Sequence, residues 1–358
     1  MNIARLSSLV RVCCTFAVML CVGLPAESAT TAKSPRTSSV TRTNGSQKLT
    51  LTKKKVTASR TRTRASAART RVASAKARQL QEAQKPRFKF DDSGALVPDI
   101  RAEAAIIYDP KTGQVLWEQN SLDQRSIASI TKVMTATVIL EDENADLSTP
   151  VVIERSDVRA ASTTYLRAGY TVTKDDLLHL LLIGSDNAAA RALARTSPYG
   201  SEGFVKRMNE KARELGLEST TYVDPSGLFN ANVSSAYDMA RLISYVSGSH
   251  RISSIMRTPR YTVTSGRLQI NVSSTNQLVK VGDVDVQAGK TGFIRAAGYC
   301  LATLLKLPQG GPEVAVVVLG AKSNAGRFWE TRHLFNWLSS KAENLIGSTV
   351  EAATVTQQ

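Results

Sequence analysis

The sequence predicts an α/β (α+β) protein built on an antiparallel sheet that is flanked by helices and interrupted by an inserted, all-helical lobe. Two hairpin patterns lie far apart in the 358-residue chain, one near residue 110 and the other near residue 309. Between them, apolar residues recur mainly at helical spacing. Strands at both ends of a helical region indicate a sheet assembled from strands that are distant in sequence.

Each predicted hairpin consists of two apolar runs around a turn that contains proline and glycine. The runs are 104–108 and 114–118 around the turn 109–113, and 299–305 and 314–319 around the turn 308–312. Proline fixes the backbone angle φ and glycine accepts positive φ, so both residue types favour tight turns between strands. We therefore expect two antiparallel strand pairs in one sheet.

The predicted helices begin and end at typical boundary residues. Thr173 and Ser235 are each followed three residues later by an aspartate, a spacing that resembles a capping box at a helix N-terminus. Another amphipathic segment stops at Gly216, because glycine commonly ends helices. The predicted helical segments are 177–183, 204–215, 239–246 and about 326–345.

Nearly all of the formal net charge of +16 lies in one segment of the chain. Residues 30–88 hold 16 basic side chains and one acidic side chain, whereas residues 89–358 hold 28 of each. The basic segment has almost no large apolar side chains, so burial cannot offset its chain entropy. The predicted organisation is a signal peptide at 1–29, a basic disordered arm at 30–92, a folded domain at 93–341 and a flexible C-terminal tail at 342–358.

Residues 1–29 have the composition of a secretory signal. Arg5 and Arg11 lie before or beside an apolar run of 13 residues, Val12–Leu24, which is shorter than the roughly 20 residues that span a bilayer. Small residues suited to cleavage follow Pro25. Cleavage predicts an exported, periplasmic chain with no transmembrane segment, whereas an uncleaved signal would act as an anchor.

Three of the four cysteines lie in this predicted signal. A cleaved chain keeps Cys300 alone and cannot form an internal disulfide bond. Because Cys300 stands in an apolar run, we expect a buried side chain rather than a reactive thiol.

The basic arm allows two roles, a solvated tether or adhesion to anionic wall polymers through residues 30–88. Nucleic acid is not an expected partner. The arm lacks interleaved aromatic residues for base stacking, and the signal directs the chain away from the cytoplasm.

Candidate catalytic residues are found without histidine. The three histidines stand in no zinc-binding or Ser-His-Asp motif, so neither a metal nor another cofactor is expected. Ser129 and Lys132 form a Ser-x-x-Lys sequence at the start of a predicted buried helix, and a spacing of three places both on one helical face. A lysine amine can take the proton of a serine hydroxyl if burial and a nearby cation lower its pKa.

Two further motifs each occur twice. Ser185-Asp-Asn187 and Ser274-Thr-Asn276 fit Ser-x-Asn, while Lys290-Thr-Gly292 and Lys111-Thr-Gly113 fit Lys-Thr-Gly. Ser185 lies in a break between two helical runs, which can direct a hydroxyl and an amide into a cleft. Lys290 precedes a predicted strand, whereas Lys111 lies in a hairpin turn. Context therefore favours the motifs that begin at Ser185 and Lys290.

In this order, Ser-x-x-Lys, Ser-Asp-Asn and Lys-Thr-Gly resemble the motif set of penicillin-binding proteins and class A β-lactamases. The surrounding segments 127–136, 224–228, 274–278 and 290–301 are similar to low-molecular-mass penicillin-binding proteins of the D-alanyl-D-alanine carboxypeptidase/endopeptidase family, particularly its endopeptidase branch. The likeness covers roughly residues 95–340. It implies a β-lactamase/transpeptidase-like fold and a serine D,D-peptidase domain at 93–341.

The resemblance also implies a role for each motif residue. Ser129 is similar in position to the acylated nucleophile and Lys132 to its general base. Ser185 and Lys290 would relay protons and maintain a positive field. Asn187 would bind a peptide carbonyl of the substrate.

The strand that follows Lys290 would align the substrate peptide. Thr291 would contact the substrate carboxylate or its equivalent, with Gly292 and Phe293 beside it. The backbone N–H groups of Ser129 and Phe293 would form an oxyanion hole. The implied substrates are peptidoglycan stem peptides, and β-lactam antibiotics are the implied inhibitors.

Alternatives to this reading are a β-lactamase-like hydrolase and a catalytically inactive wall-binding relative that uses the basic arm. Class A β-lactamases need a glutamate after the second motif, and the sequence shows Asp224-Pro-Ser-Gly-Leu228 there instead. The chain ends about 15 residues after its last predicted helix, an end that favours the endopeptidase branch. A terminal D-Ala-D-Ala and a cross-bridge both present a D-Ala carbonyl, so the sequence leaves both substrates open.

Overall fold

The structure is a computed structural model that describes residues 74, 78, 81, 82, 84–142 and 146–355. The side chains of residues 268 and 342–355 are not described. The predicted signal peptide lies outside the described residues, and so does most of the predicted basic arm.

The described part of the chain alternates short strands with helices. The strands are β1 (Phe88–Phe90), β2 (Leu96–Pro98), β3 (Ala104–Tyr108), β4 (Val115–Gln119), β5 (Arg125–Ser126), β6 (Pro150–Val152), β7 (Thr171–Thr173), β8 (Val233–Ser234), β9 (Arg260–Ser265), β10 (Leu268–Ser273), β11 (Asp285–Ile294), β12 (Gly298–Lys306) and β13 (Glu313–Ala321). The helices are α1 (Thr131–Leu140), α2 (Arg155–Val158), α3 (Lys174–Ile183), α4 (Asn187–Arg195), α5 (Gly200–Glu214), α6 (Ala236–Ser247), α7 (His250–Met256), α8 (Gln277–Val281) and α9 (Asn324–Val355).

A five-stranded antiparallel sheet joins the two ends of the domain. Its order is β11-β12-β13-β3-β4, and the pairing of Ala315 with Tyr108 brings the two predicted hairpins together. Both hairpins and the sequence-distant pairing are confirmed. Along β13, Val316 and Val318 enter one apolar core while Ala315 and Val317 enter the other. This alternation buries both faces of the sheet.

Helices cover the two faces of the sheet unequally. Helix α9 packs Phe328 and Phe335 into the smaller core. The larger core contains α6 together with the helical lobe formed by α1, α3 and α4. Thr173 begins α3 in the predicted capping box with Asp176, and the Ser235 side chain accepts from the Asp238 N–H at the start of α6. The inserted helical lobe is thus present as predicted.

The segment between the hairpins is less purely helical than expected. Strands β9 and β10 form an additional antiparallel pair, with Val263, Ile270 and Val272 buried. The strands are six residues each and are connected through Gly266 at φ 58°. Their alternate residues face the lobe, a pattern too short to distinguish from a helical one in the sequence.

Both ends of the described domain differ from the predicted boundaries. Strand β1 lies inside the segment predicted as a disordered arm, because Phe88 packs edge-on against His333 at a ring separation of 5.0 Å. The backbone of α9 is helical through Val355, whereas the sequence predicted a helix end near Leu345 and a flexible tail from 342. No proline interrupts the segment after Leu345, and Gly347 does not end the helix.

We expect Phe328→Ala to lower the free energy of unfolding by about 3–5 kcal/mol, because the side chain is fully buried between α9 and the sheet. Phe90→Ala is the matched control, since Phe90 is 74% exposed and its removal should change stability by no more than about 0.5 kcal/mol. Urea unfolding followed by circular dichroism measures both. Equal losses in the two variants would contradict the assigned packing.

Candidate active site

Ser129 lies in a single 3₁₀ turn, Ala128–Ile130, that leads directly into α1. Ala128 has φ 49°, a left-handed conformation that costs a non-glycine residue about 1–3 kcal/mol. The Thr131 hydroxyl donates to the Ala128 carbonyl oxygen at 2.8 Å and fixes the turn. Ser129 is thereby held at the helix entrance, where its side chain faces a cavity.

Lys132 is fully buried on the first turn of α1, and its amine contacts three oxygen atoms. Nζ lies 2.9 Å from Ser129 Oγ, 2.6 Å from Asn187 Oδ1 and 2.5 Å from the Ser226 carbonyl oxygen. Burial lowers the pKa of Lys132 to about 7, although the nearby charges of Asp224 and Asp186 oppose this shift. A neutral amine at hydrogen-bond distance from a serine hydroxyl is therefore accessible near neutral pH.

Ser185 occupies the break between α3 and α4. Its φ is 60°. Two backbone hydrogen bonds hold the turn, from the Asp186 N–H to the Leu180 carbonyl oxygen and from the Asn187 N–H to the Thr163 carbonyl oxygen. The Asp186 carboxylate caps α4 by accepting from the Ala189 N–H at 2.9 Å. This local geometry is the predicted break between two helices, and it directs the Ser185 hydroxyl into the cavity.

Asn187 is the first residue of α4 and uses both ends of its amide within the protein. Oδ1 accepts from Lys132, and Nδ2 donates to the Ala161 carbonyl oxygen at 2.6 Å. In this geometry Asn187 orients Lys132. Its implied contact with a substrate carbonyl stays a prediction. The Ala161 carbonyl takes only one of the two N–H bonds of Nδ2, so the other can donate to a substrate.

Lys290 lies within edge strand β11 rather than before a strand as the sequence suggested. Its buried amine donates to Ser185 Oγ at 2.8 Å and to the Thr291 carbonyl oxygen at 2.9 Å. Burial lowers the pKa of Lys290 well below its usual value, and the charges of Lys132 and Arg327 add to the effect. The predicted second positive group is thus Lys290, near the Ser129 and Lys132 pair. Burial, rather than the charge of the other lysine, is the main cause of the lowered pKa of both lysines.

Gly292 brings β11 against the turn that carries the serine. A β-carbon at this position would lie 2.6 Å from the Ile127 carbonyl oxygen and 3.2 Å from the Ser129 nitrogen. Phe293 follows with half of its side chain exposed and stacks on Tyr299 at 4.2 Å. The close approach places the two segments of the implied oxyanion hole side by side.

These elements enclose a cavity of about 520 Å³. Six of the eight predicted site residues line it, while Lys132 and Lys290 lie buried behind its wall. No aspartate or glutamate is among the lining residues that the structure describes, which are Ser129, Ser162, Thr163, Gly184, Ser185, Asn187, Gly227, Leu228, Thr275, Thr291, Gly292, Phe293, Ile294, Arg295 and Arg327.

Three contributors to the site escaped sequence reasoning. Arg327 on α9 is buried, donates to the Gly292 carbonyl oxygen at 2.9 Å, and has its pKa lowered by burial to about 10. Thr275, from the rejected second Ser-x-Asn motif, shares a 2.6 Å hydrogen bond with Thr291. The Ser226 carbonyl binds Lys132. Only Thr275 had a sequence signal, because backbone carbonyls and a lone helix arginine carry none.

The other copies of the repeated motifs have structural roles, apart from the contact of Thr275 with Thr291. Lys111-Thr-Gly113 follows β3 in a hairpin turn, and Asn276 caps α8 through a hydrogen bond from the Leu278 N–H. Cys300 is fully buried, as predicted. Within the described residues, no group of three or more His, Cys, Asp or Glu side chains could hold a metal ion.

Comparison with known proteins agrees with this geometry. Residues 91–323 match the family model described as D-alanyl-D-alanine carboxypeptidase, peptidase S11. The D-alanyl-D-alanine endopeptidase of Pseudomonas aeruginosa is 33% identical over 260 residues, which are 72% of this chain and 83% of that protein. The D-alanyl-D-alanine endopeptidase of Escherichia coli is 32% identical over 248 residues, covering 68% and 79% of the two chains.

Solved structures show the same fold. The DD-transpeptidase of Streptomyces K15 aligns with a TM-score of 0.63 and 28% identity over 67% of this chain and 97% of its own. The D-alanyl-D-alanine carboxypeptidase of Mycobacterium tuberculosis aligns with a TM-score of 0.62 and 28% identity over 67% and 92%. The predicted transpeptidase-like fold is confirmed. The chain belongs to the D-alanyl-D-alanine carboxypeptidase family, peptidase S11.

Proposed function

We propose that this chain is a serine-type D-Ala-D-Ala peptidase that cleaves peptidoglycan stem peptides through an acyl-enzyme on Ser129. The observation that carries the proposal is the buried Lys132 amine 2.9 Å from the Ser129 hydroxyl, in a cavity that also presents Ser185 and the Lys-Thr-Gly strand. Family membership and the names of the relatives support the substrate class.

Acylation follows from the contacts around Ser129. The neutral Lys132 amine takes the hydroxyl proton as Ser129 Oγ attacks the carbonyl carbon of D-Ala. The developing oxyanion lies between the N–H groups of Ser129 and Phe293, which supply hydrogen bonds that strengthen as charge accumulates. The carbon–nitrogen bond then breaks, and the leaving nitrogen takes a proton through Ser185, whose hydroxyl Lys290 can reprotonate.

Deacylation returns the enzyme to its starting state. A water molecule attacks the ester carbonyl and gives a proton to Ser185, which passes its own proton to the neutral Lys290 amine and so replaces the one that left with the amine. The released serine oxygen recovers its proton from Lys132. The four groups that take part in proton transfer are therefore Ser129, Lys132, Ser185 and Lys290.

The charge of the cavity favours an anionic substrate. Two arginines line it, and its described lining contains no carboxylate. Thr291 and Arg327 both line the cavity beside β11, where the substrate carboxylate implied by the resemblance would bind. Stem peptides carry such a carboxylate beside the scissile bond.

β-Lactams should acylate Ser129 and remain bound. The ring opens when the serine attacks, but the leaving nitrogen stays attached to the acyl group and does not clear the site. A class A β-lactamase activates its deacylating water with a glutamate. Since no acidic side chain is among the described residues of the cavity wall, the β-lactamase alternative is not favoured.

Cross-bridge cleavage is the proposed main reaction. The relatives that align over the larger shares of their own length, 83% and 79%, are named endopeptidases. Two carboxypeptidases of Bacillus subtilis and Escherichia coli are covered over 63% and 67% of theirs. The names of the first two relatives therefore support the endopeptidase assignment.

Export and wall adhesion complete the proposal. The predicted signal would direct the chain to the periplasm, and none of the described helices has the length and apolarity to cross a membrane. Residues 30–88, with a net charge of +15, would bind anionic wall polymers. Both segments lie largely outside the described residues, so sequence composition alone supports these roles.

We expect the rate of Ser129 acylation by a fluorescent β-lactam to rise with pH through about 7, the pKa of Lys132. Lys132 accepts the serine proton only when neutral, so activity is lost as pH falls below this pKa. Stopped-flow fluorescence from pH 5 to 9 measures the acidic limb. An acidic limb centred near pH 10 would show that the pKa of Lys132 is not lowered and would contradict its role as base.

The reaction is tested by mass analysis of muropeptides incubated with the purified chain, beside Ser129→Ala. Conversion of cross-linked dimers to monomers with addition of water is expected, because the leaving amine belongs to a second stem peptide. Loss of one alanine from pentapeptides would instead establish a carboxypeptidase. Absence of both products, or equal activity of Ser129→Ala, would refute the catalytic proposal.

Replacing six basic residues of the arm by glutamine should weaken sedimentation with purified wall sacculi at low salt and leave hydrolysis of a small soluble substrate unchanged. The six positions are 53, 54, 55, 60, 62 and 64. The matched control replaces the Ser and Thr residues at 38, 39, 41, 43, 46 and 50 by glutamine. Equal sedimentation of both variants and the unmodified chain would refute wall adhesion by charge.

A further inference from the structure

A tight turn at residues 224–229 is organised by one buried carboxylate. Asp224 Oδ1 accepts from the Ser226 N–H at 2.6 Å, the Ser226 hydroxyl at 2.5 Å and the Gly227 N–H at 2.9 Å. Oδ2 accepts from the Phe229 N–H at 3.0 Å and from Asn232 Nδ2 at 2.5 Å. Asp224 is 8% exposed, and no described lysine or arginine forms an ion pair with it. The turn therefore depends on this side chain for its internal hydrogen bonds.

The same turn packs directly on the catalytic helix α1. The Ser226 carbonyl accepts from Lys132 at 2.5 Å, and the Pro225 carbonyl accepts from the Thr135 hydroxyl at 2.6 Å. Gly227, at φ 76°, lies so close to the Ala128 carbonyl that a β-carbon there would overlap it. These contacts pack the turn against residues that come before and after Ser129 in the chain.

The contacts of Lys132 determine where its lone pair points. A neutral amine has two N–H bonds and one lone pair. The Ser226 carbonyl and Asn187 Oδ1 can only accept hydrogen bonds, so they take both N–H bonds. The third neighbour, the Ser129 hydroxyl, is then the one group left to donate to the lone pair. The Ser226 carbonyl is thus half of the arrangement that makes Lys132 a directed base.

We propose that Asp224 is a positioning residue, whose carboxylate holds the Ser226 carbonyl against Lys132 and thereby directs the amine lone pair at Ser129. This inference rests on the proposed function of Lys132 as general base. It assigns a purpose to the Asp224-Pro-Ser-Gly-Leu228 segment, which the three catalytic motifs leave unexplained. Asp224 touches neither the serine nor the cavity and acts through the turn.

Charge gives a second consequence that a purely structural residue would lack. The charges of Asp224 and Asp186 raise the pKa of Lys132 against the dominant effect of burial, and Arg191 lowers it. The charge of Lys132 in turn lowers the pKa of Lys290 on β11, whose amine donates to Ser185. Burial opposes ionisation of Asp224, but hydrogen bonds from Ser226, Phe229 and Asn232 hold the pKa of Asp224 below its usual value.

The test is Asp224→Asn in the full chain, with acylation by a fluorescent β-lactam measured from pH 5 to 9. We expect acylation at the optimum to slow about ten- to a hundredfold, because the base is displaced. We also expect the acidic limb to move to lower pH, because a carboxylate that raised the pKa of Lys132 is gone. Binding of the probe before acylation should change little, so the loss appears in the acylation step.

Asp238→Asn is the matched control. Asp238 is equally buried, accepts from the Ser219 N–H at 2.8 Å and the Thr220 hydroxyl at 2.7 Å, and has no contact with Lys132. This variant should keep the wild-type acidic limb whatever its stability. An Asp224→Asn variant with the wild-type limb and no greater loss of rate than Asp238→Asn would overturn the inference.

If Asp224→Asn does not fold, Ser226→Ala tests the same turn. It removes one hydrogen bond to Asp224 while the carbonyl and the negative charge stay. We expect about threefold to tenfold slower acylation with an unmoved acidic limb, and the wild-type rate would overturn the inference.

Lys132→Ala separates the two proposals. Acylation activity in Lys132→Ala would refute the function of Lys132 as base. If Lys132→Ala is inactive while Asp224→Asn or Ser226→Ala acylates at the wild-type rate, only the role of Asp224 is refuted.

Discussion

The buried amine of Lys132 is the constraint on which the site depends. It is fully removed from water and forms no ion pair with a carboxylate in the described structure. A charged ammonium is costly in such a place unless hydrogen bonds compensate it, so burial favours the neutral form. Three oxygens surround the amine, from Ser129, Asn187 and Ser226, and each comes from a different segment. The helix, the Ser-x-Asn break and the 224–229 turn must therefore all be in place before the amine can act as a base.

The fourth segment of the site is strand β11 of the five-stranded sheet. No local sequence feature predicts its position beside the other three. Strand β11 presents Lys290 toward Ser185 and brings Gly292 against the backbone before α1. Arg327, from α9 on the opposite face, fixes the Gly292 carbonyl. The cavity is thus enclosed by the helical lobe and the sheet edge, and its described lining holds two arginines and no acidic side chain.

Backbone strain marks the points where the segments meet. Ala128 and Ser185 both have positive φ although neither is glycine, whereas Gly227 and Gly292 stand where a β-carbon would strike the Ala128 or Ile127 carbonyl. Such conformations persist only when the surrounding packing determines them. The large apolar core of the lobe provides this support, so stability built far from the cavity is used to hold Ala128 and Ser185 in unfavourable backbone geometry near Ser129.

The sequence by itself determined the hairpins, the caps at Thr173 and Ser235, and the three motifs, since turn chemistry, capping and short spacings are local properties. It did not determine that Lys290 lies inside an edge strand, that β1 belongs to the folded domain, or that Arg327 and the Ser226 carbonyl enter the site. These facts follow from contacts between residues 12 to 246 positions apart, for which a single sequence holds no signal. The sequence therefore determined which side chains are available for the chemistry. Tertiary packing determined their pKa values and the orientation of their functional groups, because burial and hydrogen-bond partners exist only in the folded chain.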